Sequence, residues 1–207
     1  TSSYSFVIRA VDSTGLFTDS EVLVSVNDLT EPLVSSETVV LPGHLDTLYL
    51  SGDLPINGFG NDSDNTLFGT TADNILAGRG GADVLTGLSG SDTYLLERYS
   101  DSLLSATDTI TGFVMGVDRL DAPTAVDPDL IQDTGVAPGL NADSLAQHLS
   151  AARFPADSAA LFTIIDPFSG LRSYLALNNG VAGYSPATDA VIDISGYIGE
   201  FSDLLVI

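Results

Sequence analysis

Residues Gly60–Leu96 read GNDSDNTLFGTTADNILAGRGGADVLTGLSGSDTYLL. Small residues, Asn and Asp dominate, with single bulky apolar side chains scattered between them. Such a stretch is either a flexible linker or a segment held together by something other than an ordinary core. Self-similarity decides between the two. Gly60, Gly69, Gly78 and Gly87 are spaced by nine residues and open the units GNDSDNTLF, GTTADNILA, GRGGADVLT and GLSGSDTYL. Each unit has a bulky apolar residue at its eighth position (Leu67, Leu76, Leu85, Tyr94) and Asn or Asp at its sixth (Asn65, Asn74, Asp83, Asp92). A nine-residue period fits neither a helix nor an ordinary hairpin. It fits a turn of about six residues followed by a three-residue strand, repeated as a solenoid.

Charge points the same way. The 207-residue chain carries 28 acidic residues against 6 basic ones, a formal net charge of -22, and every basic residue is Arg. That field repels phosphate backbones and anionic headgroups, so neither nucleic acid nor an acidic membrane is an expected partner. Divalent cations are, because they relieve carboxylates crowded on one element. With 44% hydrophobic and 16% charged residues the chain is not a disordered acidic tail. Cysteine is absent, which excludes disulfides and thiolate metal sites. No apolar run is long enough to span a bilayer, and Thr1 opens no basic-plus-apolar signal peptide. The first residues, TSSYSFVIRAVD, already read as a strand and do not begin with Met, so a C-terminal fragment of a longer protein is expected.

The four units resemble the glycine-rich nonapeptide of RTX proteins, G-G-x-G-x-D-x-U-x, in which U is a large apolar residue. The resemblance implies a parallel β-roll with one coil per two nonapeptides, and Ca²⁺ held between successive turns on the same edge. The chemistry accounts for the spelling: glycine permits positive φ and close backbone approach, and carboxylates with turn carbonyls form the oxygen cage that Ca²⁺ prefers. By that resemblance, units one and three pair, and units two and four pair. Asp83 would share an ion with the turn holding Asp64 and Asn65, and Asp92 one with the turn holding Asp73 and Asn74. The full ligand set it implies is Gly60, Asp62, Asp64, Asn65, Asp73, Asn74, Gly78, Gly80, Asp83, Gly87, Ser89 and Asp92. Units one and two lack the central glycine and carry Asn for Asp, so theirs are the expected weaker halves. Upstream, LDTLYLSGDLPINGFG looks like degenerate coils with Leu48, Leu50 and Ile56 inward and a capping role.

The flanks divide the chain into residues 1–33, 34–100 and 101–207. In the first, YSFVIRAVD alternates Phe6, Ile8 and Ala10, and EVLVSVND puts Val22, Val24 and Val26 on one face. This pair resembles the closing strands of a cadherin-like or Ig-like repeat, with Asp12, Asp28 and Glu31 as candidate linker calcium ligands; an edge hairpin with solvated acids is the alternative. In the last, TDTITGFVMGVDRLDAP resembles the segment that follows RTX repeats. There Asp108, Asp118 and Asp121 are candidates for one more edge ion or for turn caps, capping being the simpler role. NADSLAQHLSAARF predicts a helix capped by Asn141 or Asp143, with Leu145, Leu149 and Ala152 on one face. AALFTIID and LRSYLALN predict a hairpin around Pro167 and Gly170, followed by strands in DAVIDISGYIG and DLLVI. Residues 101–207 resemble the bluetail domain at the C-termini of cyanobacterial surface proteins, a family whose name carries no activity. The terminal Asp203 with four apolar residues is similar to the uncleaved export signals of type I secreted proteins; a short buried final strand is the plain alternative.

The fold expected is therefore mainly β: a parallel β-roll capped by a small α+β domain, after an Ig- or cadherin-like hairpin. No catalytic motif stands out. His44 lies in a PGHLD turn and His148 on the predicted helix, and neither sits in a metal-spacing or nucleophile motif, so no catalytic residue and no organic cofactor is expected. The expectation is a non-enzymatic, extracellular or cell-surface module that folds on Ca²⁺ after export by type I secretion machinery. Two rivals stand beside it: an adhesion or carbohydrate-binding module meeting surface glycans or other surface proteins, and the targeting tail of an exported enzyme with its catalytic domain upstream.

Overall fold

In the computed structural model the described residues are 2–11, 17–26 and 31–207, and they form two compact units, Thr1–Glu31 and Pro32–Ile207. The alternating residues of the first unit make β1 (Ser2–Val11) and β2 (Phe17–Val26), which pair antiparallel with Phe6 opposite Val22 and Tyr4 opposite Val24. Asp12 and Asp28 lie outside the described residues, and Glu31 is exposed.

In the second unit the nonapeptide period sets where strands begin. Two short coils come first: β3 (Leu33–Ser35), β4 (Val39–Val40), β5 (Thr47–Leu50) and β6 (Gly58–Phe59). The repeats then give β7 (Thr66–Phe68), β8 (Ile75–Ala77), β9 (Val84–Thr86) and β10 (Thr93–Leu95), each three residues long with six residues of turn between. Two further strands, β11 (Asp108–Thr111) and β12 (Arg119–Asp121), complete the winding. Odd strands β3, β5, β7, β9 and β11 stack in parallel in one sheet, and even strands β4, β6, β8, β10 and β12 in the other. Parallel strands need a long crossover; here each crossover is a pass through the facing sheet.

Register places the apolar eighth positions in line. Leu48, Leu67, Leu85 and Ile110 form one inner ladder; Leu76, Tyr94 and Leu120 form the facing one, and all seven are buried. Gly58 holds the next place of the second ladder, where a Cβ would lie 3.0 Å from Leu48 Cδ2 and 3.3 Å from Leu76 Cδ2. Each buried leucine contributes about 1.5–3 kcal/mol, so the ladders supply the core that composition alone concealed. Leu50 and Ile56 are buried as well.

The same sheet runs on past residue 100. β16 (Ala190–Asp193) lies parallel to β11, and the antiparallel order continues through β15 (Gly170–Leu177) to β14 (Ala159–Asp166), with β13 (Ile131–Val136) parallel to β14 at the far edge. The β14–β15 hairpin turns at Asp166–Gly170, as its sequence predicts. Leu161, Leu175 and Ile192 share one continuous core with the roll's Leu67 and Leu85. The opposite face carries a second core of Leu145, Leu149, Phe154, Phe162, Tyr174 and Val191.

α1 (Ala142–His148) is shorter than its sequence predicts. Asn141 caps it by accepting the Ser144 N–H at 3.0 Å, but the helix stops before Ala152, which is exposed. The Leu149 and Phe154 carbonyls accept the Tyr184 and Gly183 N–H groups, while the Arg153 and Phe154 N–H groups turn back to Ser150. Phe154, not Ala152, then enters the core. The terminal DLLVI lies along β12, with Leu204 and Val206 buried and backbone bonds from Leu120 to Leu205 and from Ile207 to Leu120. It covers a sheet edge that would otherwise present unpaired backbone groups.

Candidate metal sites on the stacked turns

Four six-residue turns join the repeat strands. Turns one (60–65) and three (78–83) lie on one edge of the roll, and turns two (69–74) and four (87–92) on the other. On the first edge the Asn65 N–H donates to Asp83 Oδ1 at 2.7 Å and the Ala82 N–H to Asp64 Oδ1 at 2.8 Å. On the second, the Asn74 N–H donates to Asp92 Oδ1 at 2.9 Å and the Ser91 N–H to Asp73 Oδ1 at 2.7 Å. Asp64, Asn65, Asp73, Asn74, Asp83 and Asp92 are thus brought together in the pairs that the nonapeptide resemblance implies. Asp62 lies near Gly80, with its Cα 3.7 Å from where a Gly80 Cβ would sit. Ser89 is exposed, and no short contact ties it to the facing turn among the described residues.

The first glycine of each unit is demanded by the sixth residue. A Cβ on Gly78 would fall 2.1 Å from Asp83 Oδ2, and one on Gly87 2.1 Å from Asp92 Oδ2. Gly60 and Gly69 face the side-chain oxygens of Asn65 and Asn74 in the same way, at 2.3 and 2.5 Å. Turns three and four also place their second residues, Arg79 and Leu88, at φ 76° and 77°, a region that L residues with a Cβ occupy at a cost.

Turns one and two are stitched by neutral side chains. Asn65 Oδ1 accepts the Asn61 N–H at 2.7 Å, Asn61 Oδ1 accepts the Ser63 N–H at 2.9 Å, and Asn61 Nδ2 reaches back to the carbonyls of Pro42 and Leu45 at 3.0 and 2.8 Å. Asn74 Oδ1 accepts the Thr70 N–H at 2.6 Å and its Nδ2 donates to the Ile56 carbonyl at 2.6 Å. Turns three and four have carboxylates instead. Asp83 Oδ2 is buried without a hydrogen-bond partner.

Two acids beyond the repeats extend both rows. Asp108 Oδ1 accepts the Asp83 N–H, and Asp118 Oδ1 accepts the Asp92 N–H, each at 2.9 Å. Asp118 Oδ2 accepts the Val114 N–H at 2.8 Å, so both its oxygens are engaged as a cap. Asp121 ends β12 half-buried. The residues not anticipated from sequence are Asn61, Thr70 and Arg79; the Asn–x–x–x–Asn and Thr–x–x–x–Asn spacings within units one and two were the available signal for the first two.

The buried carboxylates lack compensation. Burial foremost pushes Asp83 up to about 7, against the lowering Asn65 N–H and with the nearby charges of Asp64 and Asp101 adding to the rise. Asp92 rises to about 6 for the same reason, with Asp118 and Asp73 as neighbours. Asp108 rises to about 8, again through burial first, with Asp83 and Asp101 beside it. An oxygen set of this kind, with one buried carboxylate oxygen unpartnered, fits a hard divalent cation. No three His, Asp or Glu side chains converge on one point among the described residues, so a cation held here would need backbone carbonyls as well, as Ca²⁺ coordination allows. The histidines lie elsewhere: His44 is exposed, and His148 is buried with Nε2 3.1 Å from Thr134 Oγ1.

No helix among the described residues is long and apolar enough to cross a membrane. No curated protein matches the chain. The family model of the RTX calcium-binding nonapeptide repeat matches residues 59–94, in four copies. That stretch is therefore a run of RTX nonapeptide repeats, which bind Ca²⁺ in general and are typical of secreted proteins.

Proposed function

We propose that the chain is a non-catalytic calcium-binding module of an exported protein, and that it finishes folding when Ca²⁺ binds between its stacked turns. The observation that carries this reading is the buried, unpartnered Asp83 Oδ2 at the meeting of turns one and three. Asp83 and Asp92 would supply carboxylate oxygen, with turn carbonyls around Gly60, Gly78, Gly80 and Gly87 and the acids Asp62, Asp64 and Asp73 near them. Asn65, Asn74 and Ser89 add neutral oxygens on the same edges. Ca²⁺, when bound, supplies the positive charge that the buried acids lack.

The residues themselves explain why folding would follow the ion. Without it, a chain with formal charge -22 must bring buried acids together. In low cytosolic calcium this opposes closure of the roll, which suits passage through type I secretion machinery. Outside, millimolar Ca²⁺ is in the range that extracellular modules use, and binding free energy becomes folding free energy. The bluetail-like residues 101–207, continuous with the roll through β11 and β16, suit a cell-surface setting and shield the last coil.

Thermal unfolding of the chain in EDTA and in 5–10 mM Ca²⁺ tests the reading. A saturating ion at about a hundred times its dissociation constant adds about 2.7 kcal/mol per site, so a large upward shift of Tm is expected. Mg²⁺ at equal concentration should do little, because it demands a tighter octahedral shell. Identical unfolding with Ca²⁺ and with EDTA would rule the reading out.

A further inference from the structure

We infer that Arg79 is a resident cation on the first edge of the roll, holding turn three to turn one without metal and weakening calcium uptake there. The inference rests on the calcium reading above. Arg79 is the second residue of turn three. Its Nη1 donates to the Gly60 carbonyl of turn one at 3.1 Å, across the gap in which the facing turns meet. Its Nε lies 3.8 Å from Glu97 Oε2, and both side chains are partly exposed. The guanidinium is always charged and keeps its donors in a fixed fork. It therefore occupies one lone pair of a turn carbonyl and sets a positive charge on the edge where turns one and three meet.

The other edge provides the internal control. The equivalent residue of turn four is Leu88, which is exposed and has no donor. No side chain donates to the Gly69 carbonyl, the counterpart of Gly60, among the described residues. Arg79 and Leu88 share one backbone conformation, φ 76° and 77°, so exchanging their side chains adds no backbone strain. Apart from Asp62, whose counterpart in turn two is the neutral Thr71, the two edges thus differ by a movable positive charge. Two consequences follow: the first edge is partly tied down before any ion arrives, and a divalent cation entering it meets repulsion that the second edge does not impose.

Calorimetric Ca²⁺ titration of the whole chain, in wild type and in the variants R79L, R79Q and L88R, tests this. Wild type should show a tighter and a weaker phase. R79L copies the second edge and should tighten the weaker phase by about tenfold, a change that one nearby unit charge readily supplies. R79Q keeps an N–H donor but no charge, and should move in the same direction. L88R, at an exposed position, should weaken the tighter phase. Melting in EDTA gives a second readout: R79L should lower the metal-free Tm while raising the Ca²⁺-induced shift, a pairing that simple damage to the fold would not produce. A wild type that binds Ca²⁺ while R79L and R79Q keep its affinities overturns this inference alone. A wild type that binds no Ca²⁺ overturns the calcium reading, and this inference with it.

Discussion

Turns one and two of the roll solve the same backbone problem as turns three and four with different chemistry. In all four, an oxygen of the sixth residue sits over the first glycine, 2.1–2.5 Å from where a Cβ would be. In turns one and two that oxygen belongs to Asn65 or Asn74 and accepts a turn N–H, while the Asn74 Nδ2 donates to the Ile56 carbonyl and the Asn65 Nδ2 to Asn61 Oδ1. In turns three and four it belongs to Asp83 or Asp92, whose charge burial raises toward protonation at about 7 and about 6. A neutral side chain that donates and accepts can close a turn by itself; a carboxylate that only accepts needs a proton or a cation. Each edge therefore pairs one self-sufficient turn with one that needs a proton or a cation.

The most direct way to break that contrast is D83N combined with D92N, which gives every turn the amide of turns one and two. Loss of the buried charges should raise the Tm in EDTA. Loss of the carboxylates should remove most of the Ca²⁺-induced shift, on the order of 2.7 kcal/mol for each site at a hundredfold excess over its dissociation constant. Differential scanning calorimetry of the double variant, with and without Ca²⁺, measures both. If the Ca²⁺ response persisted at full size, carboxylates of turns three and four would not be its source.

Acidity sharpens the contrast from the other side. Asp92, Asp83 and Asp108 hold protons in the folded, metal-free chain up to about 6, 7 and 8, whereas an unfolded Asp releases its proton near 3.9. Between these values the folded state binds more protons than the unfolded state, so stability falls as pH rises. These acids favour the fold fully below about pH 4, and their contribution is lost progressively up to about pH 8. Urea unfolding in EDTA should accordingly show a chain more stable at pH 5 than at pH 8, by an amount on the order of a few kcal/mol. Saturating Ca²⁺ should flatten or reverse the trend, because its ligands must be deprotonated.

How much of this could be read from the chain depended on period. Four glycines nine residues apart placed four strands, four turns and their inner residues, because one close approach recurs wherever the coil turns. The continuation showed its acids, Asp108 and Asp118, but not their register. Asp108 follows Asp83 by 25 residues and Asp118 follows Asp92 by 26, where the repeats keep 18. The intervening residues, including a 3-10 turn at Tyr99–Ser102, restore the register in space after losing it in sequence. The α1 helix ended early for a reason equally remote in sequence, capture of the Leu149 carbonyl by Tyr184. Arg79 was invisible for a third reason. A charged residue at a turn position reads as solvated until its partner carbonyl, 19 residues earlier, is brought beside it.

The smallest expected effect tests the self-sufficient turns on their own. Asn61 is neither an acid nor a sixth-position residue, yet its carboxamide joins two turns of successive coils. Nδ2 donates to the Pro42 and Leu45 carbonyls of the preceding coil, and Oδ1 accepts the Ser63 N–H within turn one. It makes these bonds without help from a cation, so Asn61→Ala should cost about 1–2 kcal/mol. The cost should be the same in EDTA and in Ca²⁺, since the bonds removed are those that no ion replaces. Paired denaturation curves in the two conditions measure it. A penalty confined to the Ca²⁺ form would mean that turn one, like turn three, is completed only by the ion, and the contrast between the two kinds of turn would fail on the first edge.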